Sequence, residues 1–160
     1  MRRSDREITD PERIEAFVRN GRIIRIAFWD RGEIYIVPVN YGYEKTDGQY
    51  RFYFHGAKAG RKYELSGSSP SVGFEIDGGY RLLEAETACG YSAEFWSVTG
   101  TGTIRLLEDP EEKIRGLDLL MGQASGKMRW DYPTEALDRV AVYRLDAEKL
   151  SCKARAGRSL

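Results

Sequence analysis

The sequence has few of the residues that build metal centres and disulfide scaffolds. It contains one histidine, His55, and two cysteines, Cys89 and Cys152, with no CxxC spacing. A structural zinc site takes four ligands, usually Cys and His, so this chain cannot supply one alone, and we predict no metal site. A chain of this length with two cysteines does not depend on disulfides. We therefore expect reduced thiols and a cytoplasmic protein.

Long apolar runs and an excess of charge of either sign are also missing. The apolar runs are a few residues long, far below the roughly 18 that a membrane-spanning helix needs. The first ten residues lack the apolar segment of a signal peptide. Lysine plus arginine and aspartate plus glutamate both number 25, so the formal net charge is zero. Such a chain has little long-range attraction for nucleic acid or an anionic membrane, and neither is predicted as a partner.

The residues that are present suit one globular domain. Apolar residues make up 41% of the 160 residues and aromatic residues 12%. That composition is typical of a globular chain, and the length is sufficient for an independent core. No internal repeat or low-complexity segment is visible, so we predict a single domain over 1–160. The basic residues 153–160 are predicted to form a flexible tail.

Short β-rich segments separated by turn residues dominate the pattern. Asp30-Arg31-Gly32 and Asp47-Gly48 indicate hairpins, and Asp77-Gly78-Gly79 indicates a further turn. The predicted strands are 23–29, 33–43, 49–55, 71–76, 80–86, 95–107 and 140–145. Helices are predicted after the capping residues at 9–10, over 56–66, and from Pro110 onward. About seven neighbouring strands predict a mostly β fold, an antiparallel barrel with flanking helices.

The run Tyr53–Lys62, YFHGAKAGRK, contains the strongest functional signal. A strand ends there, a glycine-containing turn follows, and a basic helix begins. Helix N-termini present free N–H groups that bind phosphate, and Arg61 and Lys62 can add charge-assisted hydrogen bonds. The spacing does not match a Walker A loop. The residues alone leave two interpretations open, a phosphate site and a solvated basic helix start.

Two other segments have both a functional and a structural interpretation. Pro38 removes a hydrogen-bond donor from the strand around it, so Val37–Tyr41 either offers backbone groups to a flat ligand or is an ordinary edge strand. Gly100-Thr101-Gly102 begins like GxGxxG, but no third glycine follows and a Rossmann fold is excluded. We predict instead that these two glycines permit a bend or a close approach of another backbone.

In combination, these motifs resemble the nitroimidazole-resistance (Nim) branch of the pyridoxamine 5′-phosphate oxidase-like flavoproteins. The resemblance runs roughly from Arg3 to Arg155, and the His-Gly-Ala-x-x-Gly-Arg-Lys run is its most specific part. The other segments that carry it are Val37–Tyr43, Ala88–Ser92 and Phe95–Gly102. The resemblance implies an FMN-binding split β-barrel, with FMN at the interface of a homodimer.

The resemblance also implies roles for individual residues. Arg61 and Lys62 are the expected cationic partners of the FMN phosphate, and Val37–Tyr41 is expected to line the isoalloxazine ring through its backbone. His55 is the expected catalytic residue, a proton source at the edge of the flavin. The implied cofactor-binding residues are Val37, Pro38, Val39, Asn40, Tyr41, His55, Ala57, Gly60, Arg61, Lys62, Ser97 and Val98.

The implied function is that of an FMN-dependent oxidoreductase acting on small molecules such as nitroaromatics. Gly56 departs from the branch, where serine is common, and so removes one hydroxyl donor to phosphate. The C-terminus lacks the Arg-rich substrate segment of true pyridoxamine phosphate oxidases, so vitamin B6 oxidation is not expected. The alternative is a non-enzymatic flavin- or haem-binding protein on the same barrel. Bleaching of the flavin by NADH or NADPH and its recovery with a nitro compound would discriminate between the two.

Overall fold

The computed structural model describes residues 4–68 and 70–155, and an antiparallel sheet forms its centre. The eight strands are β1 Glu7–Ile8, β2 Ile23–Asp30, β3 Glu33–Asn40, β4 Gly42–Thr46, β5 Gln49–Ala57, β6 Ser71–Leu83, β7 Ser92–Leu107 and β8 Val140–Arg155. Their order in the sheet is β3-β2-β6-β7-β8-β5-β4, and β1 pairs with β8. The predicted mostly β, antiparallel class is confirmed. The number of strands differs from the expected seven because β1 was not predicted, the predicted strand 33–43 forms two strands, and the predicted strands 71–76 and 80–86 form one.

Four helices flank the sheet, and two of them begin where their capping residues predict. These helices are α1 Pro11–Asn20, α2 Arg61–Ser68, α3 Pro110–Ser125 and α4 Thr134–Arg139. Asp10 accepts a hydrogen bond from the Glu12 N–H at 3.0 Å, and Asp109 caps α3 in the same manner. Among the described residues, no helix is long and apolar enough to cross a membrane.

Both predicted hairpin turns are confirmed. Arg31 and Gly32 connect β2 to β3 with φ of 51° and 95°, and Asp47 and Gly48 connect β4 to β5 with φ of 53° and 80°. Two successive residues with positive φ are typical of tight hairpin turns, where aspartate and glycine are favoured.

The sheet separates two apolar cores. The larger lies inside the curved sheet and against α1, and its fully buried side chains include Tyr41, Phe52, Phe54 and Tyr143. The smaller lies on the outer face beneath α3 and α4, and consists of Tyr53, Leu107, Leu117, Leu137 and Val142. Because successive side chains of a strand point to opposite faces, β5 contributes to both cores.

The last strand is much longer than predicted. β8 continues through Arg155 and pairs with β7 on one side and with β5 and β1 on the other. The prediction of a flexible tail is therefore wrong for 153–155, while 156–160 lie outside the described residues. A register shift opposite Thr101 and Gly102 interrupts the alternation of apolar and polar residues along β8. The residues beyond the shift are held in the sheet by backbone pairing, which the sequence pattern does not reveal.

Several other strand and helix boundaries differ from the predicted ones, in part because of side-chain contacts that the sequence pattern does not show. Asp77-Gly78-Gly79 does not reverse the chain, and β6 continues through a bulge to Leu83. A Cβ on Gly78 would overlap the Trp96 indole, which occupies that space. Tyr41 divides the predicted strand 33–43 into β3 and β4, because its buried hydroxyl donates to the Val18 carbonyl. β5 extends to Ala57, and α2 begins at Arg61 rather than at 56.

The interpretation of Gly100 and Gly102 as points of close backbone approach is confirmed. A Cβ on Gly100 would overlap the Lys149 carbonyl oxygen, and a Cβ on Gly102 would overlap that of Asp146. Both carbonyls belong to β8 at its register shift. Glycine is therefore required here because β7 and β8 are pressed together.

Candidate functional site

The edges of β3 and β5 lie near each other without pairing, beside much of the predicted site, and we call the gap between them the opening. β4 pairs with β5 only as far as Gly42 opposite Tyr53, so within the described residues no strand pairs with 54–57 on that edge. The outer edge of β3 likewise has no neighbouring strand among the described residues. Arg61 connects the two sides, since its guanidinium lies 4.8 Å from the centre of the Tyr35 ring on β3. The fold thus brings the 37–40 segment toward the turn after β5.

Lys62 lies at the corner formed by the end of β5 and the start of α2, and no acidic side chain pairs with it among the residues that the structure describes. Its Nζ donates to the His55 carbonyl oxygen at 3.1 Å and lies 5.6 Å and 5.3 Å from the Phe54 and Tyr143 ring centres. Burial lowers the pKa of the Lys62 amine. Among the described residues, no carboxylate pairs with it. A half-buried ammonium over aromatic rings favours an anion that can approach from the open side.

Two glycines shape the space around Lys62. A Cβ on Gly56 would lie 2.6 Å from the Lys62 Nζ, so glycine at that position leaves room for the lysine. Gly60 has a φ of 89°, which turns the chain from Ala57 at the end of β5 into α2. The first bond of α2 runs from the Glu64 N–H to the Gly60 carbonyl. In the described part of the chain, no side chain caps the N–H groups that precede Glu64, which leaves them available to an acceptor.

Arg61 has a different environment from its neighbour. Its guanidinium donates to Asp30 at 2.7 Å and to Glu33 at 3.5 Å. Both acids belong to the β2–β3 hairpin, so Arg61 fastens the start of α2 to that hairpin. A role for Arg61 at the phosphate stays a prediction, and it would require the guanidinium to share donors with these carboxylates.

His55 lies on the other face of β5. It is exposed and shares the outer face with Tyr53, whereas Phe54 and the space left by Gly56 face Lys62. Desolvation by surrounding protein atoms, together with the charge of Lys62, lowers the pKa of the imidazole. His55 is therefore uncharged at neutral pH and able to act as either donor or acceptor.

The predicted ring-lining segment has two distinct faces. Val37 and Val39 turn inward and pack against the larger core, while Pro38 and Asn40 are exposed. Tyr41 is almost completely buried, so its side chain is part of the core. The prediction of an edge strand is confirmed, and any contact of 37–41 with a flat ligand would use the backbone or the outer face.

Ser97 and Val98 lie far from this corner within one chain. The register places His55 opposite Val142 on β8, and Val142 opposite Leu107 on β7. Ser97 precedes Leu107 by ten residues on β7, which is roughly 33 Å along an extended strand. Val98 is fully buried, whereas Ser97 is half-buried on the outer face. Within one chain these two residues are therefore not part of this corner, and their role at the cofactor stays a prediction.

The sequence analysis did not predict that the aromatic rings of Phe54 and Tyr143 lie beneath Lys62. The Phe54 and Tyr143 rings stack with centroids 5.0 Å apart, and Lys62 lies above both. Burial raises the pKa of Tyr143 to about 12, and its hydroxyl has no hydrogen-bond partner within the described residues. Alternation along 140–145 could have placed Tyr143 inward, but only the β5–β8 register puts it beside Phe54.

Comparison with known proteins identifies the family of the chain. Residues 10–154 match the family described as Pyridoxamine 5′-phosphate oxidase. The chain belongs to this family. A candidate 5-nitroimidazole antibiotic resistance protein from Bacteroides thetaiotaomicron is 28% identical, with a TM-score of 0.80 over 92% of this chain and 86% of that one. The resemblance to the Nim branch and to its split-barrel fold is confirmed. No curated protein matches the sequence.

More distant structures share the fold. The flavocytochrome Anf3 from Azotobacter vinelandii is 21% identical, with a TM-score of 0.79 over 98% of this chain and 72% of that one. An FAD- and haem-binding protein from Mycobacterium smegmatis is 16% identical, with a TM-score of 0.80 over 95% and 74%. The split barrel is therefore common to proteins whose described ligands differ.

Proposed function

We propose that this protein is an FMN-dependent oxidoreductase that reduces nitroaromatic or related small molecules at a site shared by two subunits of a homodimer. The observation that carries the proposal is Lys62, a desolvated cation beside the start of α2, for which the described residues provide neither a carboxylate partner nor a side-chain cap. Membership of the oxidase family supports a flavin, and similarity to the Bacteroides candidate resistance protein supports the substrate class.

The residues at this corner fit the phosphate end of FMN. A phosphate is bound well by free helix N–H groups together with a cationic side chain, and Lys62 provides the charge. Gly56 and Gly60 keep the approach open, because a larger residue at 56 would collide with Lys62. The bound flavin would supply the redox chemistry, accepting electrons from a reduced nicotinamide and passing them to the substrate. The chain itself binds and orients the cofactor.

An apolar patch on the outer face of β2 and β3 supports the homodimer. Trp29, Ile34 and Ile36 are 59%, 65% and 58% exposed, and Trp29 and Ile34 are register partners. Ser97 lies on this same face of the sheet, since it pairs with Asp77 beside Glu75, which lies opposite Arg25. A two-fold partner that covers this face would bury the patch and carry its own Ser97 toward the first subunit's opening.

His55 is proposed as the proton source. It is exposed at the end of β5 next to the opening, and its lowered pKa keeps it neutral at pH 7. The charged, proton-donating form therefore becomes populated only below the ordinary value of 6.5. We expect the rate at which a nitro compound reoxidises the reduced flavin to rise as pH falls below that value, and His55→Gln to remove this rise without changing the FMN dissociation constant. An unchanged pH profile in His55→Gln would rule out the role.

The test of the function combines cofactor identity with turnover. Mass analysis of the ligand released by denaturation should show FMN, and light scattering should show a dimer. NADH or NADPH should bleach the flavin, and a nitro compound should restore its colour. A flavin that binds but is neither reduced nor reoxidised would favour the non-enzymatic binding protein. A colourless protein that fails to bind FMN at micromolar levels would overturn the proposal.

A further inference from the structure

A second group of cations lies on the outer face of the sheet, between the strands and α3. It contains Arg51, Arg105, Arg115 and Arg144 together with the acids Glu44, Glu112 and Asp146. Strand register assembles it, because Arg51 lies opposite Asp146 and Arg105 lies opposite Arg144. Tyr53 and Val142, both buried, separate this cluster from His55. The proposed flavin site therefore makes no use of it.

The arginines are held in place by the acids among them. Glu44 accepts from the Tyr53 hydroxyl at 2.6 Å, from Arg51 at 3.4 Å and from the Arg115 Nε at 3.1 Å. Arg144 donates to Asp146 at 2.9 Å, and its Nη1 lies 3.8 Å from Glu112. Such fixed guanidinium groups lose little freedom when they bind a further acceptor.

The cluster retains one positive charge and unused donors. Its four guanidinium groups face three carboxylates, which leaves a net charge of plus one. The Nε atom of Arg51 is buried and lies 3.3 Å from an Asp146 oxygen without making a hydrogen bond to it, and the Nε atom of Arg105 is buried with no hydrogen-bond partner among the described residues. A buried donor without an acceptor is costly, so an acceptor that entered the cluster would be stabilised.

A small cavity lies among these groups. Its volume is about 180 Å³, and it is lined by Glu44, Arg51, Tyr53, Glu112, Arg115 and Arg144. Cofactor and drug-sized pockets occupy roughly 300–1,000 Å³, so this one is too small for a flavin or a nucleotide. We propose that it binds a small oxyanion of the phosphate class, held by Arg51, Arg115 and Arg144.

The proposal predicts opposite effects from removing a cation and removing an acid. Phosphate binding to the wild-type protein as purified would be measured by titration calorimetry at constant ionic strength, with chloride as the compensating ion. Arg144→Gln should weaken binding roughly tenfold, the loss expected for one charge-assisted hydrogen bond. Arg115→Gln, on the outer surface of α3, should weaken it in the same direction without disturbing the fold. Glu112→Gln should strengthen it, because the excess positive charge increases.

Two further variants locate the binding. Arg139→Gln removes an exposed cation from α4 and should leave phosphate affinity unchanged. Lys62→Met removes the cation proposed for the flavin phosphate and should also preserve it, so failure of either proposal can be recognised separately. Loss of phosphate binding in Lys62→Met, an equal affinity in the Arg115, Arg144 and Glu112 variants, or no saturable binding in the millimolar range would overturn the proposal. The arginines would then only fasten α3 to the sheet.

Discussion

The Lys62 corner and the arginine cluster beneath α3 are two cationic regions built in contrasting ways. In the described part of the chain, Lys62 contacts a carbonyl and two aromatic rings but no acid, whereas each cluster arginine contacts a carboxylate. An unpaired desolvated cation weakens the fold but is available to a ligand, while interleaved charges stabilise the contact between a helix and a sheet. Substitution of Lys62 should therefore change mainly ligand binding, whereas substitutions of the acids in the arginine cluster should change mainly the stability of the fold.

The same contrast separates two consecutive residues. Arg61 is paired with Asp30 and Glu33, and Lys62 has no acidic partner over 4–68 and 70–155. In sequence they form one basic pair. In the structure, one fastens a helix to a hairpin and the other faces the opening.

The largest effect should come from Glu44 in the arginine cluster. Its side chain is 10% exposed, so Glu44→Ala leaves Arg115 and the buried Tyr53 hydroxyl without their acceptor and Arg51 with Asp146 alone. This should lower the free energy of unfolding by about 3 kcal/mol. Urea denaturation measures this. Glu135→Ala, which removes an exposed acid from α4, is the control and should change stability by less than about 0.5 kcal/mol. Equal effects of the two substitutions would show that the cluster does not fasten α3.

Glu44 also gives a pH dependence of stability. Burial raises its pKa, but hydrogen bonds from Tyr53, Arg115 and Arg51 outweigh burial and hold the pKa below the ordinary value of 4.5. The unfolded chain therefore binds this proton more tightly, so the stabilisation is complete above 4.5 and is lost as pH falls through the folded-state pKa. Between pH 5 and 3, the wild type should lose more stability than Glu44→Ala does. Parallel loss in both proteins would argue against this assignment.

Lys62→Ala should affect the flavin and spare the fold. Loss of a charge-assisted hydrogen bond to phosphate should weaken FMN binding roughly 10- to 100-fold, measured by fluorescence titration. Riboflavin lacks the phosphate, so its binding should barely change. Lys58→Ala removes an exposed cation of the same turn and provides the matched control. Equal losses for FMN and riboflavin would place Lys62 at the ring or in the fold rather than at the phosphate.

Gly56→Ala tests whether the position of Lys62 matters as well as its charge. The added Cβ would lie 2.6 Å from Nζ, and the flexible end of the lysine can move away without disturbing the strand. FMN binding should weaken by up to about tenfold, since one charge-assisted contact is displaced rather than deleted. Gly67→Ala, which adds a Cβ in open space, should have no effect on it. Retention of full FMN affinity in Gly56→Ala would show that Lys62 can bind from its displaced position.

The smallest effect is expected at Arg61. Because Asp30 and Glu33 already accept hydrogen bonds from its guanidinium, Arg61→Ala should weaken FMN binding less than Lys62→Ala does. The paired comparison of dissociation constants measures it. A loss as large as that in Lys62→Ala would mean that Arg61 leaves its acids to bind the phosphate.

Much of the fold could be predicted where the signal is local. Asp10 and Asp109 predict the starts of α1 and α3, and Asp47-Gly48 predicts a hairpin, because caps and tight turns depend on adjacent residues. The extent of β8 could not be predicted. Its second half alternates polar and apolar residues imperfectly across a register shift, and pairing on both edges keeps it in the sheet. The bulge of β6 likewise depends on Trp96 of β7. This residue is distant from Gly78 in sequence and comes into contact with it only when the two strands pair.

The sequence by itself determined the family, the mostly β class and the basic turn that ends in Arg61 and Lys62, since these reside in contiguous motifs. Only the tertiary structure decided which of the two cations is paired with carboxylates, because Asp30 and Glu33 come from a hairpin about 30 residues away along the chain. It also placed Phe54 and Tyr143 beneath Lys62 and separated Ser97 from His55 through strand register. The physical reason is that ion pairing and desolvation depend on distance in space, which local sequence does not encode.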